Sequence, residues 1–371
     1  MVVSAEQAVA PAWPRGLASP RAAAPAPGRP GLGKRKRSAP GGGCRTKGVA
    51  VGVPACPARA TGRVRVALLA SLPASQHDAQ LDYYSRRLAT CSSDKTVRIY
   101  TVAGGDHAFD GELTGHDGPV WEVSWAHPKF GTVLASCGYD RKAIVWREST
   151  PGAWVAEHTI KADSSVNSVA WAPHEAGGLT LACASSDGNI RVATRSVGGA
   201  WEESEPLSDS TEGTLAVTWA PSTHLGAELA GKTTLRLATA GCDGSVRVWA
   251  RTGADGAWVL DTNGLLSGHS RWVRDVAWAP ATGLLANQLA SCSEDGRVIV
   301  WEQRSVGGEW SPKTVRTFDA PVWRVSWSLT GGILAVTSGD PSGEAAVSLF
   351  KQTLLGDWAE VDAAEVDAAA A

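Results

Sequence analysis

One pattern returns six times along this chain: a strand, a second strand resembling Leu-Ala-Ser-Cys, a tight turn at an aspartate, and a third strand closing on an aromatic. The turn aspartates are Asp94, Asp140, Asp187, Asp243, Asp295 and Asp340, 45 to 56 residues apart. From the second copy on, the first strand carries a tryptophan: Trp125, Trp171, Trp219, Trp278 and Trp327. The closing aromatics are Tyr100, Trp146, Trp249 and Trp301, with Ala193 in the third copy; in the sixth, Phe350 follows a turn lengthened by roughly Pro341 to Glu344. A further tryptophan (Trp154, Trp201, Trp258, Trp310, Trp358) follows a glycine-containing turn and opens a fourth strand. One meander cannot bury both of its faces, so the copies must stack on each other. Four strands at this period predict an all-β, six-bladed propeller of four-stranded antiparallel blades.

The spread of charge divides the chain. Residues 1–65 hold 12 Lys and Arg against one acid, Glu6, while the remainder carries 23 basic and 36 acidic residues. We expect three segments: 1–66, an Ala/Pro/Gly/Arg-rich disordered extension; 67–360, the propeller; and 361–371, a flexible tail. Arg63–Leu69 alternates as a strand would. Lys34-Arg35-Lys36-Arg37 reads either as an import signal or as a solvated charge run, and the acid-poor start also has the look of a transit peptide. The acidic body argues against direct nucleic-acid binding. Five of the seven cysteines (Cys91, Cys137, Cys183, Cys242, Cys292) recur at one strand position, which fits small buried residues better than a disulfide framework. No run is long and apolar enough to be a membrane-spanning helix.

His116, Ser136 and Asp140 in the second copy, and His269, Ser291 and Asp295 in the fifth, have the residue types of a hydrolytic triad. They recur in register with Trp146 and Trp301, and a nucleophile needs no copies around a ring. The alternative is a structural hydrogen-bond chain from tryptophan to serine to histidine to aspartate, with a variant in the first copy at His77, Thr90, Asp94 and Tyr100. We therefore expect no enzyme and no catalytic, metal or cofactor site; His and Cys show no metal-ligand spacing.

Gly-His, Leu-Ala-Ser-Cys and Val-x-Trp at these spacings resemble WD-repeat propellers, although Trp146-Arg147 and Trp301-Glu302 replace the usual Trp-Asp ending. The strings HDAQLDYY (77–84), GHDGPVWEVSWAHPKFGTVLASCGYDRKAIVWRE (115–148), DSSVNSVAWAPHE (163–175), WVRDVAWAP (272–280) and PVWRVSWSLTGGILAV (321–336) are more specific. Together they resemble the Sec-thirteen family, the small WD-repeat subunit of the COPII outer cage, over about residues 72–358. The resemblance implies an open propeller whose partner adds a blade by strand addition. It implies a Sec-thirty-one-type COPII cage subunit or a Y-complex scaffold nucleoporin as partner, in a hetro-oligomer peripheral to the membrane at endoplasmic-reticulum exit sites and at the nuclear pore. A generic WD-repeat adaptor, for instance in the coat-like nutrient-signalling complex, is the alternative. An incomplete ring leaves strand edges to cover; we place them near Val97, Arg98, Ile99 and Tyr100, and near Val347, Ser348, Leu349 and Phe350.

Overall fold

The computed structural model describes residues 76–103, 106–229, 232–253, 256–280, 286–339, 345–353 and 356–361. The extension, Arg63–Leu69, Lys34–Arg37, Cys44, Cys56, Asp340, Pro341–Glu344 and residues 362–371 of the tail lie outside them, while Val361, expected in the tail, ends the last strand. The strands form six antiparallel sheets in chain order. Blade 1 holds β1 (Gln76–Leu81), β2 (Arg87–Ser92), β3 (Thr96–Ala103) and β4 (Asp106–Thr114). Blade 2 holds β5 (Val120–Trp125), β6 (Val133–Gly138), β7 (Lys142–Thr150) and β8 (Ala153–Lys161). Blade 3 holds β9 (Val166–Trp171), β10 (Leu179–Ser185), β11 (Asn189–Arg195), and two short pieces on the outer edge, β12 (Trp201–Glu203) and β13 (Leu207–Ser208). Blade 4 holds β14 (Thr214–Trp219), β15 (Glu228–Leu229), β16 (Lys232–Gly241), β17 (Ser245–Thr252) and β18 (Val259–Ser267). Blade 5 holds β19 (Val273–Trp278), β20 (Asn287–Ser293), β21 (Arg297–Gln303) and β22 (Ser311–Thr317). Blade 6 holds β23 (Val322–Trp327), β24 (Ile333–Gly339), β25 (Ala345–Gln352) and β26 (Trp358–Val361).

Alternation along each strand sends successive side chains to opposite blade faces, so blades 2 to 5 each contribute to two cores shared with their neighbours. Ala89, Cys91, Val97 and Ile99 of blade 1 meet Val123, Leu134, Ile144 and Trp146 of blade 2. Val133, Ala135, Cys137 and Val145 on the other face of blade 2 meet Val169, Leu179 and Cys183 of blade 3. The same interleaving joins blades 3 and 4, 4 and 5, and 5 and 6. The sixth cluster differs: Ala79, Leu88 and Tyr100, with Leu81 and Val102, are drawn from blade 1 alone among the described residues. The five described cysteines are buried and unpaired in these layers.

The heavy use of tryptophan has a location. Each inner-strand tryptophan packs against the later tryptophan of its own blade, at ring-centroid distances of 6.0 Å for Trp125–Trp154, 6.4 Å for Trp171–Trp201 and 5.6 Å for Trp219–Trp258. Trp278–Trp310 and Trp327–Trp358 repeat the contact at 5.9 and 5.7 Å. These mostly edge-on pairs fill the wedge that widens between neighbouring blades.

Candidate functional site

The third-strand tryptophans sit at the centre of two matching hydrogen-bond chains. In blade 2, Trp146 Nε1 donates to Ser136 Oγ at 2.8 Å, His116 Nε2 lies 2.7 Å from the same oxygen, and His116 Nδ1 lies 3.0 Å from Asp140. Blade 5 repeats it, with Trp301 Nε1 to Ser291 Oγ at 2.9 Å, His269 Nε2 to Ser291 at 2.8 Å and His269 Nδ1 to Asp295 at 3.3 Å. Each serine oxygen is held between an indole and an imidazole and is fully buried, out of reach of a substrate. The glycine before each histidine is required by the packing. A Cβ on Gly115 would lie 2.9 Å from Trp146 Cη2, and one on Gly268 2.8 Å from Trp301 Cη2.

Burial pushes the Asp140 carboxyl up, but the hydrogen bonds from His116 and from the N–H groups of Asp117 and Lys142 hold it below its ordinary value. Asp295 is held down in the same way against its burial, by the N–H groups of Ser270 and Arg297. A depressed folded-state pKa gives stability that is present above the unfolded value near 4 and is lost as pH falls through the folded value. Asp140→Asn is therefore expected to lose less unfolding free energy than wild type between pH 5 and pH 3, read by denaturant titration at each pH.

Blade 1 does not build the variant expected of it. His77 lies within β1 at the position that Trp121 occupies in β5, and its Nε2 meets Ser93 Oγ at 2.6 Å rather than Thr90 or Asp94. His116 instead precedes its strand, in the connecting segment, so the matching position in blade 1 falls before Gln76. Thr90 Oγ1 is buried with no hydrogen-bond partner among the described residues, and Asp94 caps its own turn through Thr96. Blade 4 uses a residue that sequence reasoning missed. The buried Asp209 carboxylate accepts from Trp249 Nε1 at 2.9 Å, Thr239 Oγ1 at 2.6 Å and Thr214 Oγ1 at 2.9 Å.

A second set of contacts runs between blades, along the inner strands. In the six-residue frame of Val120-Trp121-Glu122-Val123-Ser124-Trp125, the second residue forms a bulge in every blade, as the register shifts show. Bulges re-aim neighbouring side chains. The third-position side chain then accepts the fourth-position N–H of the next blade. Val123 N–H donates to Asp78 at 3.2 Å, Val169 to Glu122 at 2.8 Å, Val217 to Ser168 at 3.3 Å and Val325 to Asp275 at 3.0 Å. Sixth-position indoles add a second tie, to the fifth-position carbonyl of the preceding blade: Trp125 to Gln80, Trp171 to Ser124 and Trp219 to Ala170, each at 2.9 Å, and Trp327 to Ala277 at 3.1 Å.

From blade 6 to blade 1 both ties lack their chemistry. The third position of β23 is Arg324, which cannot accept, and the sixth position of β1 is Leu81, which cannot donate. Among the described residues no hydrogen bond joins the strands of blade 6 to those of blade 1. Blades 4 and 5 also lack the first tie, because Ala216 has no acceptor, and among the described residues no hydrogen bond joins the Trp278 indole to Thr218, but they are fastened farther out. Arg236 of β16 reaches Gln303 of β21 at 3.2 Å, and Asn287 of β20 accepts from Leu225 N–H at 2.8 Å and donates to its carbonyl at 3.1 Å.

The strand segments expected as free edges are only partly so. Val97, Arg98, Ile99 and Tyr100 lie in β3, paired on one side with β2 and on the other with β4, so their main-chain groups are taken. Val97 and Ile99 point into the core against blade 2, while Tyr100 belongs to the blade 1 cluster. Leu349 and Phe350 are likewise paired on both sides, and Phe350 is buried against blade 5. Val347 and Ser348 lie beyond the described reach of β26, which pairs only with Leu349–Gln352, and Val347 is 42% exposed. The edge reading is corrected for six of the eight residues, since an interior strand has no backbone groups left to offer.

A recess of about 320 Å³ is lined by Trp125, Trp171, Trp219, Trp278, prolines and small residues, with no titratable side chain among them. Among the described residues no group of three or more His, Cys, Asp or Glu could hold a metal ion.

A family model described as "WD domain, G-beta repeat" matches residues 109–147, 154–192 and 261–302. Each matched segment starts in the outer strand of one blade and ends in the third strand of the next, so each repeat staples two blades together. The protein named "Protein SEC13 homolog" of Drosophila melanogaster is 45% identical over 294 residues, which cover 77% of this chain and 80% of that protein. "Protein transport protein SEC13" of Mycosarcoma maydis is 39% identical over 336 residues, covering 76% of this chain and 90% of its own. "Protein transport protein sec13" of Emericella nidulans is 42% identical over 299 residues, covering 77% and 93%.

Proposed function

The chain belongs to the SEC13 family of WD-repeat β-propellers, and from that premise we propose that it works in protein transport as a structural subunit of the COPII outer cage. Its partner there is the large cage subunit of the Sec-thirty-one type, which contributes strands at the joint between blades 6 and 1. The observation that carries this reading is the exchange at that joint of Arg324 for an acceptor and Leu81 for a donor. The ring has the chemistry to tie blade 1 to blade 2, 2 to 3, 3 to 4 and 5 to 6, holds 4 to 5 through Arg236 and Asn287 instead, and lacks both devices where a guest would enter. Strand addition suits such a site because main-chain hydrogen bonds supply affinity and alternate side chains supply specificity. The same joint would accept a scaffold nucleoporin of the Y-complex, which places the protein peripherally at endoplasmic-reticulum exit sites and at the nuclear pore. In this reading the histidine–serine–aspartate sets hold blades together, and no chemistry is assigned to them.

Co-expression tests the reading. With the strand-donating segment of the large cage subunit, the chain should elute as a stoichiometric complex that melts well above the chain alone. A chain that melts at the same temperature with and without the segment, and elutes apart from it, would contradict the proposal.

A further inference from the structure

A third set of contacts joins neighbouring blades at the rim. On the outer strands of blades 1 to 5, the residue that follows the partner of the closing position is Asp110, Glu157, Ser204, Asp261 and Lys313. In the next blade, the second residue past the closing position is Glu148, Arg195, Arg251, Gln303 and Gln352. Four of these joints carry a charged link. Arg87 of blade 1 reaches Asp110 at 3.6 Å and Glu148 of blade 2 at 2.6 Å. Glu157 accepts directly from Arg195 of blade 3 at 2.6 Å. Arg236 of blade 4 reaches Asp261 at 3.0 Å and Gln303 of blade 5 at 3.2 Å. Lys313 meets Asp357 of blade 6 at 2.7 Å. Between blades 3 and 4 no charged link joins the two positions among the described residues, because Ser204 stands where an acid would be.

Both residues face that joint. Trp201 packs toward blade 2, so Ser204, three residues on, falls on the opposite side, as Glu157 does relative to Trp154. Arg251 lies two residues past Trp249, which packs in the core between blades 3 and 4, and its guanidinium sits 5.3 Å from the Trp258 ring of the same core. Arg251 Nε is buried without a hydrogen-bond partner among the described residues. Burial draws the Arg251 pKa down, and no carboxylate opposes that pull. Arg195, its counterpart one blade earlier, has Glu157. Arg251 is a half-buried cation with no acid to answer it.

We propose that Ser204 is a phosphorylation site and that its phosphate binds Arg251, fastening blade 3 to blade 4 at their rim. Phosphoserine oxygens stand as many bonds from Cα as those of glutamate. The group brings a charge of about −1.5 to −2 and three acceptor oxygens, which suit a guanidinium. Ser204 is also placed for access. The outer strand of blade 3 is broken into β12 and β13, and Ser204 falls between them, half-buried, with its hydroxyl donated to the neighbouring Glu205 carbonyl at 3.3 Å. Glu202, Glu203 and Glu205 flank it, a setting for a kinase that reads acidic sequence. In the transfer, Ser204 Oγ attacks the γ-phosphorus of a nucleoside triphosphate held by the kinase. The Oγ–P bond forms, the bond from that phosphorus to the β-phosphate oxygen breaks, the nucleoside diphosphate leaves, and the hydroxyl proton passes to the kinase's carboxylate base.

The full-length chain, incubated with ATP and an acid-directed serine/threonine kinase, should take phosphate at Ser204, located by tandem mass spectrometry. Phosphorylation there should raise the melting temperature by about 2–5 °C, and the rise should vanish in Arg251→Gln. Ser204→Glu, which restores the kind of residue that blades 1, 2 and 4 carry, should melt above Ser204→Gln, which has the same shape without the charge. That pair keeps the test open should Arg251→Gln not fold. A chain that takes no phosphate at Ser204, a phosphorylated chain that melts no higher, an equal rise in a folded Arg251→Gln, or Ser204→Glu melting no higher than Ser204→Gln would each overturn the proposal. No partner is in the sample, so none of these results bears on strand addition, which the co-expression experiment decides.

Discussion

Trp146→Ala should lower the unfolding free energy by about 4 kcal/mol, within the range for emptying a buried tryptophan site. Trp146 is 4% exposed and sits in the core between blades 1 and 2. Truncation opens a cavity beside Gly115, where an added Cβ would already meet the indole, and within the cluster that holds Ile144. It also removes the donor to Ser136, leaving a buried hydroxyl to His116 alone. For a ring of this size the shift in melting temperature should be about 7 °C. Trp146→Phe keeps most of the volume but loses the N–H and three ring atoms, so its cost should be smaller, about 1–3 kcal/mol. Thermal melts of both variants check the split. A loss under 1 kcal/mol for the alanine variant would mean that this tryptophan does not bind blade 2 to blade 1.

Gly188→Ala should be of similar size, for a different reason. Gly188 turns β10 into β11 at φ +80°, and an added Cβ would lie 1.7 Å from Ser210 O. The glycine carbonyl accepts from Asp209 N–H at 2.9 Å and Ser210 N–H at 3.1 Å. Moving that backbone drags Asp209, and with it the hydrogen bonds from Thr214, Thr239 and Trp249 that anchor blade 4. We expect a loss of about 3–5 kcal/mol, where left-handed strain alone costs about 1–3. Gly152→Ala is the control. Its φ is +79° but nothing lies within 4 Å of the added Cβ, so it should lose only about 1 kcal/mol by the same denaturant titration.

The sequence made the blades readable because their signals are local. Leu-Ala-Ser-Cys, the turn aspartate and Val-x-Trp lie within about fifteen residues of one another, and the Ser136–His116–Asp140 geometry follows once they are stacked. His77 is not legible as a strand residue, because a histidine followed by aspartate near a strand start matches the His116 pattern, whereas the bulge places His77 at the position Trp121 has in β5. Asp209 was missed because it stands in place of a histidine in the longest repeat, with Arg247 paired to Asp243 beside it. The joint between blades 6 and 1 depends on residues 243 apart in the chain, Arg324 and Leu81. No local pattern marks them; they stand out only when the six inner strands are laid in one frame. The expected partner edges fall on third strands, and pairing on both sides of an interior strand is a non-local property that the residues of that strand do not show.

Amide hydrogen exchange on the whole chain, with and without the strand-donating segment of the large cage subunit, tests the central claim most directly. The account predicts that in the free chain β1 (Gln76–Leu81) and β23 (Val322–Trp327) exchange faster than β9 and β14, because the joint between them carries no tie. Adding the segment should protect blades 1 and 6 at that joint and leave blades 3 and 4 unchanged. Protection confined to another face of the ring, or free-chain exchange at β1 and β23 as slow as at β9 and β14, would contradict it.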